Sequence, residues 1–173
     1  MNHPTLTSPS GSVQPQASRH AGPALYTPEQ RARRDASRWT LVQGILAPLQ
    51  FVVMIASTVL VVRSLVYGTG AAVADISVLV KTALLYAIMI TGSLWEKDVF
   101  GKYLFAKAFF WEDVVSMGVI ALHTTYLVML LTGAFSLEAR LIVALAAYAI
   151  YTVNAIQFLL KLRQARQGAE VVS

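Results

Sequence analysis

Residues 39–62 read WTLVQGILAPLQFVVMIASTVLVV, twenty-four positions without a single charge. A helix rises about 1.5 Å per residue, so this run can cross the roughly 30 Å hydrocarbon core of a bilayer. Three further runs follow: 76–95, with Lys81 near its start; 114–137, interrupted only by His123; and 141–160. Each reaches the roughly 20 apolar residues that a spanning helix needs. The expected fold is an all-α integral membrane protein, a four-transmembrane-helix bundle with helices at about 39–64, 76–95, 110–133 and 138–162. The first run starts too late and is too long for a signal peptide, so no cleavage is expected.

Composition agrees. The 173 residues are 56% hydrophobic and 13% charged, against about 25% charged in soluble domains. The absence of cysteine excludes disulfides and thiolate metal sites. The net charge is +5, but the basic residues lie at the edges of apolar runs. That pattern suits a lipid bilayer as partner and not a nucleic acid. Residues 1–25 read as a disordered tail and 167–173 as a flexible C-terminus, leaving 26–166 as the membrane domain. At the start of that domain Thr27 can cap a helix, Pro28 suits its first position and Gln30 completes a capping box. A short basic interfacial helix before Trp39 is predicted.

Basic residues set the expected orientation. Arg19, Arg31, Arg33, Arg34 and Arg38 precede the first span; Lys97, Lys102 and Lys107 fall between the second and third; Lys161, Arg163 and Arg166 follow the fourth. With both termini cytoplasmic, eleven of fourteen basic residues are inside, and only Arg63, Lys81 and Arg140 are outside. The cytoplasmic loop then contains WEKDVFGKYLFAKAFFWED (95–113), which holds four of the nine carboxylates, Glu96, Asp98, Glu112 and Asp113. Trp95 and Trp111 are expected at the interface.

Polar residues also recur inside the spans. Gln43, Gln50, Ser57 and Ser64 repeat every seven residues, so they share a face that should point into the bundle, either for interhelical hydrogen bonding or to line a cleft. Pro48 is expected to kink this helix. Glu112, Ser116 and His123 form a second stripe; the fourth span offers Tyr148, Tyr151, Asn154 and Gln157, and the second Thr82, Tyr86 and Thr91. Gln50, Tyr86, His123 and Tyr151 lie at similar depth, roughly 15–16 Å in, beneath the carboxylates. One histidine is too few for a protein-only metal cage. It can be a structural hydrogen-bonder, or the single axial ligand of a metal that a cofactor already holds. The carboxylates can form an interfacial ion-pair network with Lys97, Lys102 and Lys107, or a proton-transfer site.

The blocks LYTPEQRARRDASRWTLVQGILAPLQF (25–51) and KTALLYAIMITGSLWEKDVFGKYLFAKAFFWEDVVSMGVIALHTTYL (81–127) closely resemble the 3-vinyl bacteriochlorophyllide hydratases, called 2-vinyl hydratases in older ring numbering. The resemblance covers about residues 25–165. It implies a hydro-lyase of bacteriochlorophyll biosynthesis in the bacterial inner (intracytoplasmic) membrane, adding water to the vinyl group of a chlorophyllide-type pigment to give a 1-hydroxyethyl product. It also implies the pigment as partner, with other pigment-biosynthesis enzymes beside it. It supplies no site.

The chemistry states what a site must contain. A proton reaches the terminal vinyl carbon, charge delocalises into the macrocycle, and water adds; a general acid, a water-positioning base and a flat dry pocket are needed. No resident cofactor or metal is expected: water is the co-substrate, and Mg²⁺ belongs to the pigment. Glu96, Asp98, Glu112 and Asp113 are the candidate acid and base; Gln50, Tyr86, His123 and Tyr151 are candidate pigment contacts. His123 is also a candidate axial ligand to the pigment Mg²⁺. Lys102, Lys107 or Arg38 could hold the pigment propionate. Glu112 and His123 stand eleven residues apart, about 16 Å along a helix, too far to serve one vinyl group and its nearby metal together. A non-catalytic pigment carrier or assembly factor is the alternative, which would need His123 and aromatic walls but no acid.

Overall fold

A computed structural model describes residues 25–170, with side chains through Arg163. The chain forms α1 (Pro28–Ala36), α2 (Arg38–Tyr67), α3 (Ala71–Phe100), α4 (Phe110–Thr132) and α5 (Leu137–Glu170). The tail and C-terminus expected at 1–25 and 167–173 lie outside the described residues, except Leu25 and the backbone of 167–170. Helices α2, α3, α4 and α5 are each long and apolar enough to cross a membrane, α5 over Leu137–Arg163. The architecture is a helical membrane bundle with no strand among the described residues.

Burial is inverted relative to a soluble bundle. Gln50 and Lys81 are fully buried and His123 is 1% exposed, whereas Leu131 is 83% and Leu41 69% exposed. In water that arrangement would be unstable; in lipid, apolar side chains belong outside and polar ones pair inside. The seven-residue polar stripe of α2 points inward as its spacing predicts: Gln50, Ser57 and Ser64 are buried, and Gln43 Nε2 donates to Thr91 Oγ1 of α3 at 2.7 Å. Helix α2 runs through Pro48 without interruption. Helices α2 and α3 pack along each other, as do α4 and α5, while α3 and α4 touch only lightly.

The helices outrun the apolar windows because backbone chemistry ends them. α3 continues to Phe100, where Gly101 adopts φ 77° and closes the helix, a left-handed conformation that only glycine takes without strain. It also starts at Ala71, so Lys81 sits ten residues inside the helix. Lys81 therefore does not lie at the outer edge, where the apolar window had placed it.

Helix α1 begins with the expected capping box: Gln30 N–H donates to Thr27 Oγ1 and Thr27 N–H to Gln30 Oε1. It docks on α3. Tyr26, Val99 and Phe109 are buried together there, with Trp95 and Phe100 against them. Trp95 is thus drawn into an aromatic cluster, its indole N–H donating to Thr40 Oγ1 at 3.0 Å, while Trp111 stays 68% exposed.

Candidate functional site

The connection between α3 and α4 sorts the four acidic candidates. Glu96, Glu112 and Asp113 are buried, whereas Asp98 is exposed and accepts a 2.8 Å hydrogen bond from Ser37 Oγ, tying the α1–α2 junction to α3. Glu112 meets Lys161 of α5, at 3.6 Å. Glu96 and Asp113 are brought near each other from different helices. Two carboxylates are both acceptors only, so a hydrogen bond between them requires a proton on one.

The same two groups hold the loop. Asp113 Oδ2 accepts from Phe105 N–H at 2.7 Å and Glu96 Oε2 from Ala106 N–H at 3.1 Å. Phe105 has φ 59°, an uncommon conformation for a bulky residue. With one residue left-handed, two successive N–H groups turn toward the carboxyl pair, as in an anion-binding nest. Each carboxyl oxygen pair has about four lone-pair positions, so capacity remains for a proton and a water.

A groove of about 280 Å³ lies between α3 and α4, lined by Tyr86, Met89, Ile90, Ser93, Leu104, Met117 and Ile120. It exists because α3 and α4 are the sequential pair of spanning helices that packs least. Its walls are almost wholly apolar and it opens to the outer surface of the bundle. The Tyr86 hydroxyl meets Thr124 Oγ1 at 2.8 Å, on the far side of the groove from the carboxyls. Tyr86 and Glu96 are ten residues apart on α3, about 15 Å along the helix. The Tyr86–Thr124 pair marks one end of the groove; at the other, Leu104 directly precedes Phe105 and Ala106, whose N–H groups the carboxyl pair holds.

The remaining mid-depth candidates sit elsewhere, inside the bundle. Lys81 Nζ donates to Gln50 Oε1 and lies 3.8 Å from the centroid of the Tyr151 ring. Gln50 Nε2 in turn donates to Leu84 O at 3.2 Å. His123 Nδ1 pairs with Val119 O at 2.9 Å, its ring lies 5.8 Å from that of Tyr148, and Nε2 is buried without a partner. So Gln50 and Tyr151 gather around Lys81, while Tyr86 faces the groove and His123 does not line it.

Lys102 and Lys107 are exposed and form no ion pair with the carboxylates. Lys161, which donates to Ala108 O, ties the loop to α5 instead. In the sequence, Lys81 and Lys161 stand out only as basic residues that set orientation, not as members of a site. A lysine inside a spanning run is itself a signal; nothing local marks Lys161 as the partner of Glu112.

The chain matches the family model described as 2-vinyl bacteriochlorophyllide hydratase over residues 26–164. It is 65% identical to the 2-vinyl bacteriochlorophyllide hydratase of Rhodobacter capsulatus, over 84% of this chain and 85% of that one. It is 64% identical to the protein of the same name from Cereibacter sphaeroides, over 84% of this chain and 91% of that one. No solved structure matches.

Proposed function

The chain belongs to the 2-vinyl bacteriochlorophyllide hydratase family, and from that premise we propose that it hydrates the pigment vinyl group in the α3–α4 groove, with Glu96 and Asp113 as acid and base. It is a hydro-lyase of bacteriochlorophyll biosynthesis and a membrane protein. The observation that supports the site is the buried carboxyl pair, which holds the loop residues next to Leu104 at one end of an apolar groove.

The chemistry follows from that placement. The carboxyl that carries the shared proton donates it to the terminal vinyl carbon, and the vinyl π bond supplies the electron pair for the new C–H bond. The adjacent carbon becomes cationic and is stabilised by conjugation with the macrocycle. A water hydrogen-bonded to the other carboxylate attacks that carbon and gives up a proton to it, which restores the pair with one proton. The product is the 1-hydroxyethyl pigment. Addition of water changes no oxidation level overall, so the step calls for no redox cofactor. The apolar walls, Met89, Ile90, Met117 and Ile120, suit a flat ring and keep bulk water from the cation.

Both helical termini of the bundle belong on the cytoplasmic side in this reading, since the basic residues cluster there. The pigment then reaches the groove laterally from the bilayer, and water reaches the carboxyls from the loop side.

Incubating the purified chain with a 3-vinyl chlorophyllide should yield a product heavier by one water. Pigment that binds and returns unchanged would make the protein a carrier. Wall variants Met117→Trp and Ile120→Trp, which fill the groove, should abolish turnover; full turnover in both would move the site elsewhere.

A further inference from the structure

Lys97 occupies a position that the hydration chemistry leaves unused. On α3 the groove-lining residues Tyr86, Ile90 and Ser93 are spaced by four and three, and Lys97 continues that row one turn nearer the loop, about 20° from the direction of Tyr86. Its Nζ lies 4.8 Å from the centroid of the Tyr103 ring, and Tyr103 directly precedes Leu104, which lines the groove. The ammonium is thus held over an aromatic face, on the same side of α3 as the groove-lining row and beside the residue that precedes Leu104. Among the described residues it forms no ion pair, because nearby Asp98 is turned to Ser37 and Glu96 faces Asp113 and Ala106.

We propose that Lys97 is a specificity residue that binds the free carboxylate of the pigment acid, steadied by the Tyr103 ring. The proposal rests on the groove reading above. In a chlorophyllide the ring that bears the propionate neighbours the ring that bears the vinyl group. A pigment that presents this shared edge to the loop end brings the vinyl group to Glu96 and Asp113 and the propionate to the same end. Lys97 and Glu96 are consecutive residues, about 100° apart on the helix, which matches two substituents flanking one edge. Arg38 lacks this placement: it begins α2, whose Gln43 packs against the Ile88–Thr91 face of α3, away from the groove row. A flexible lysine stem suits a carboxylate on a flexible propionate arm, and the aromatic ring steadies the exposed ammonium before substrate arrives.

The test compares the free-acid pigment with its methyl ester, in wild type and in Lys97→Met. The substitution keeps the stem and removes the charge. A charge-assisted hydrogen bond at a half-screened site corresponds to about a tenfold rise in KM, expected for the free acid with kcat nearly unchanged. KM for the ester should not move, and Lys97→Arg should restore most of the free-acid affinity. Equal effects on acid and ester, or none on either, would overturn the proposal. A failure of the groove reading looks different: the tryptophan wall variants would then keep turnover on both pigments, whatever Lys97→Met does.

Discussion

Arg140 of α5 grips Asp75 of α3 through two hydrogen bonds, Nε to Oδ1 at 3.1 Å and Nη2 to Oδ2 at 2.6 Å. Tyr126 of α4 donates its hydroxyl to the same Oδ1 at 2.6 Å. One carboxylate therefore ties three helices together at the end of the bundle opposite α1 and the carboxyl pair. This is where α3 and α4, which part to form the groove, are held in register.

Breaking that tie should loosen the bundle without touching the chemistry. Asp75→Asn or Arg140→Met is expected to destabilise the protein by about 2 kcal/mol, the scale of a hydrogen bond to a charged group, while turnover per folded molecule stays near wild type. Melting curves in detergent beside the hydration assay check this. A large loss of turnover at unchanged melting temperature would mean that the latch shapes the site and not merely the fold.

The four amide variants Glu96→Gln, Asp98→Asn, Glu112→Gln and Asp113→Asn should separate sharply. Glu96→Gln or Asp113→Asn is expected to lose about 10²–10⁴ in turnover, the usual contribution of a general acid or base. The amide oxygen can still accept the loop N–H, so pigment binding should persist. Asp98→Asn should stay within about threefold, because Asp98 bonds Ser37 on the exposed side. Glu112→Gln should lower stability by weakening the contact with Lys161. If all four keep turnover within about threefold, the carboxyl pair is a loop anchor and the acid lies elsewhere.

Gln50 and Lys81 should behave as a unit. Gln50→Leu leaves a fully buried donor with only the Tyr151 ring, and an unsatisfied buried group costs about 1–3 kcal/mol or more. Lys81→Met removes that donor and keeps the length of the side chain, so it is expected to be milder. The double variant should recover most of the loss of Gln50→Leu. Strict additivity in the melting temperatures would show that the two do not interact.

His123 lies inside the bundle, away from the groove lining. His123→Asn should therefore leave the absorption spectrum of bound pigment unchanged while lowering stability through lost packing against Tyr148. A shifted spectrum with weaker pigment binding would instead identify His123 as an axial ligand to the pigment Mg²⁺.

Reporter fusions near residues 70 and 135, in the two turns opposite α1, should both read as non-cytoplasmic. A cytoplasmic signal at either would overturn the orientation inferred from the basic residues.

Much of the fold was legible along the chain because the forces that make it are local. Twenty apolar residues in lipid must form a helix to satisfy their own backbone, Thr27 and Gln30 cap a helix three residues apart, and a polar stripe every seventh residue must turn away from lipid. These demands need no partner, so the four spans, α1 and the inward face of α2 could be read from spacing. Which polar groups meet across the bundle is a different matter. Inside a membrane the outer surface is as apolar as the packing surface, so hydropathy does not orient one helix against the next. Only the packing of α3 against α2, and its parting from α4, decided that Glu96 lies near Asp113 and not a lysine, that Lys81 lies in the core beside Gln50, and that Tyr86 lines a groove. Asp75 and Arg140 are 65 residues apart, and no periodicity links them; a salt bridge between helices forms only where tertiary geometry brings its two ends within reach.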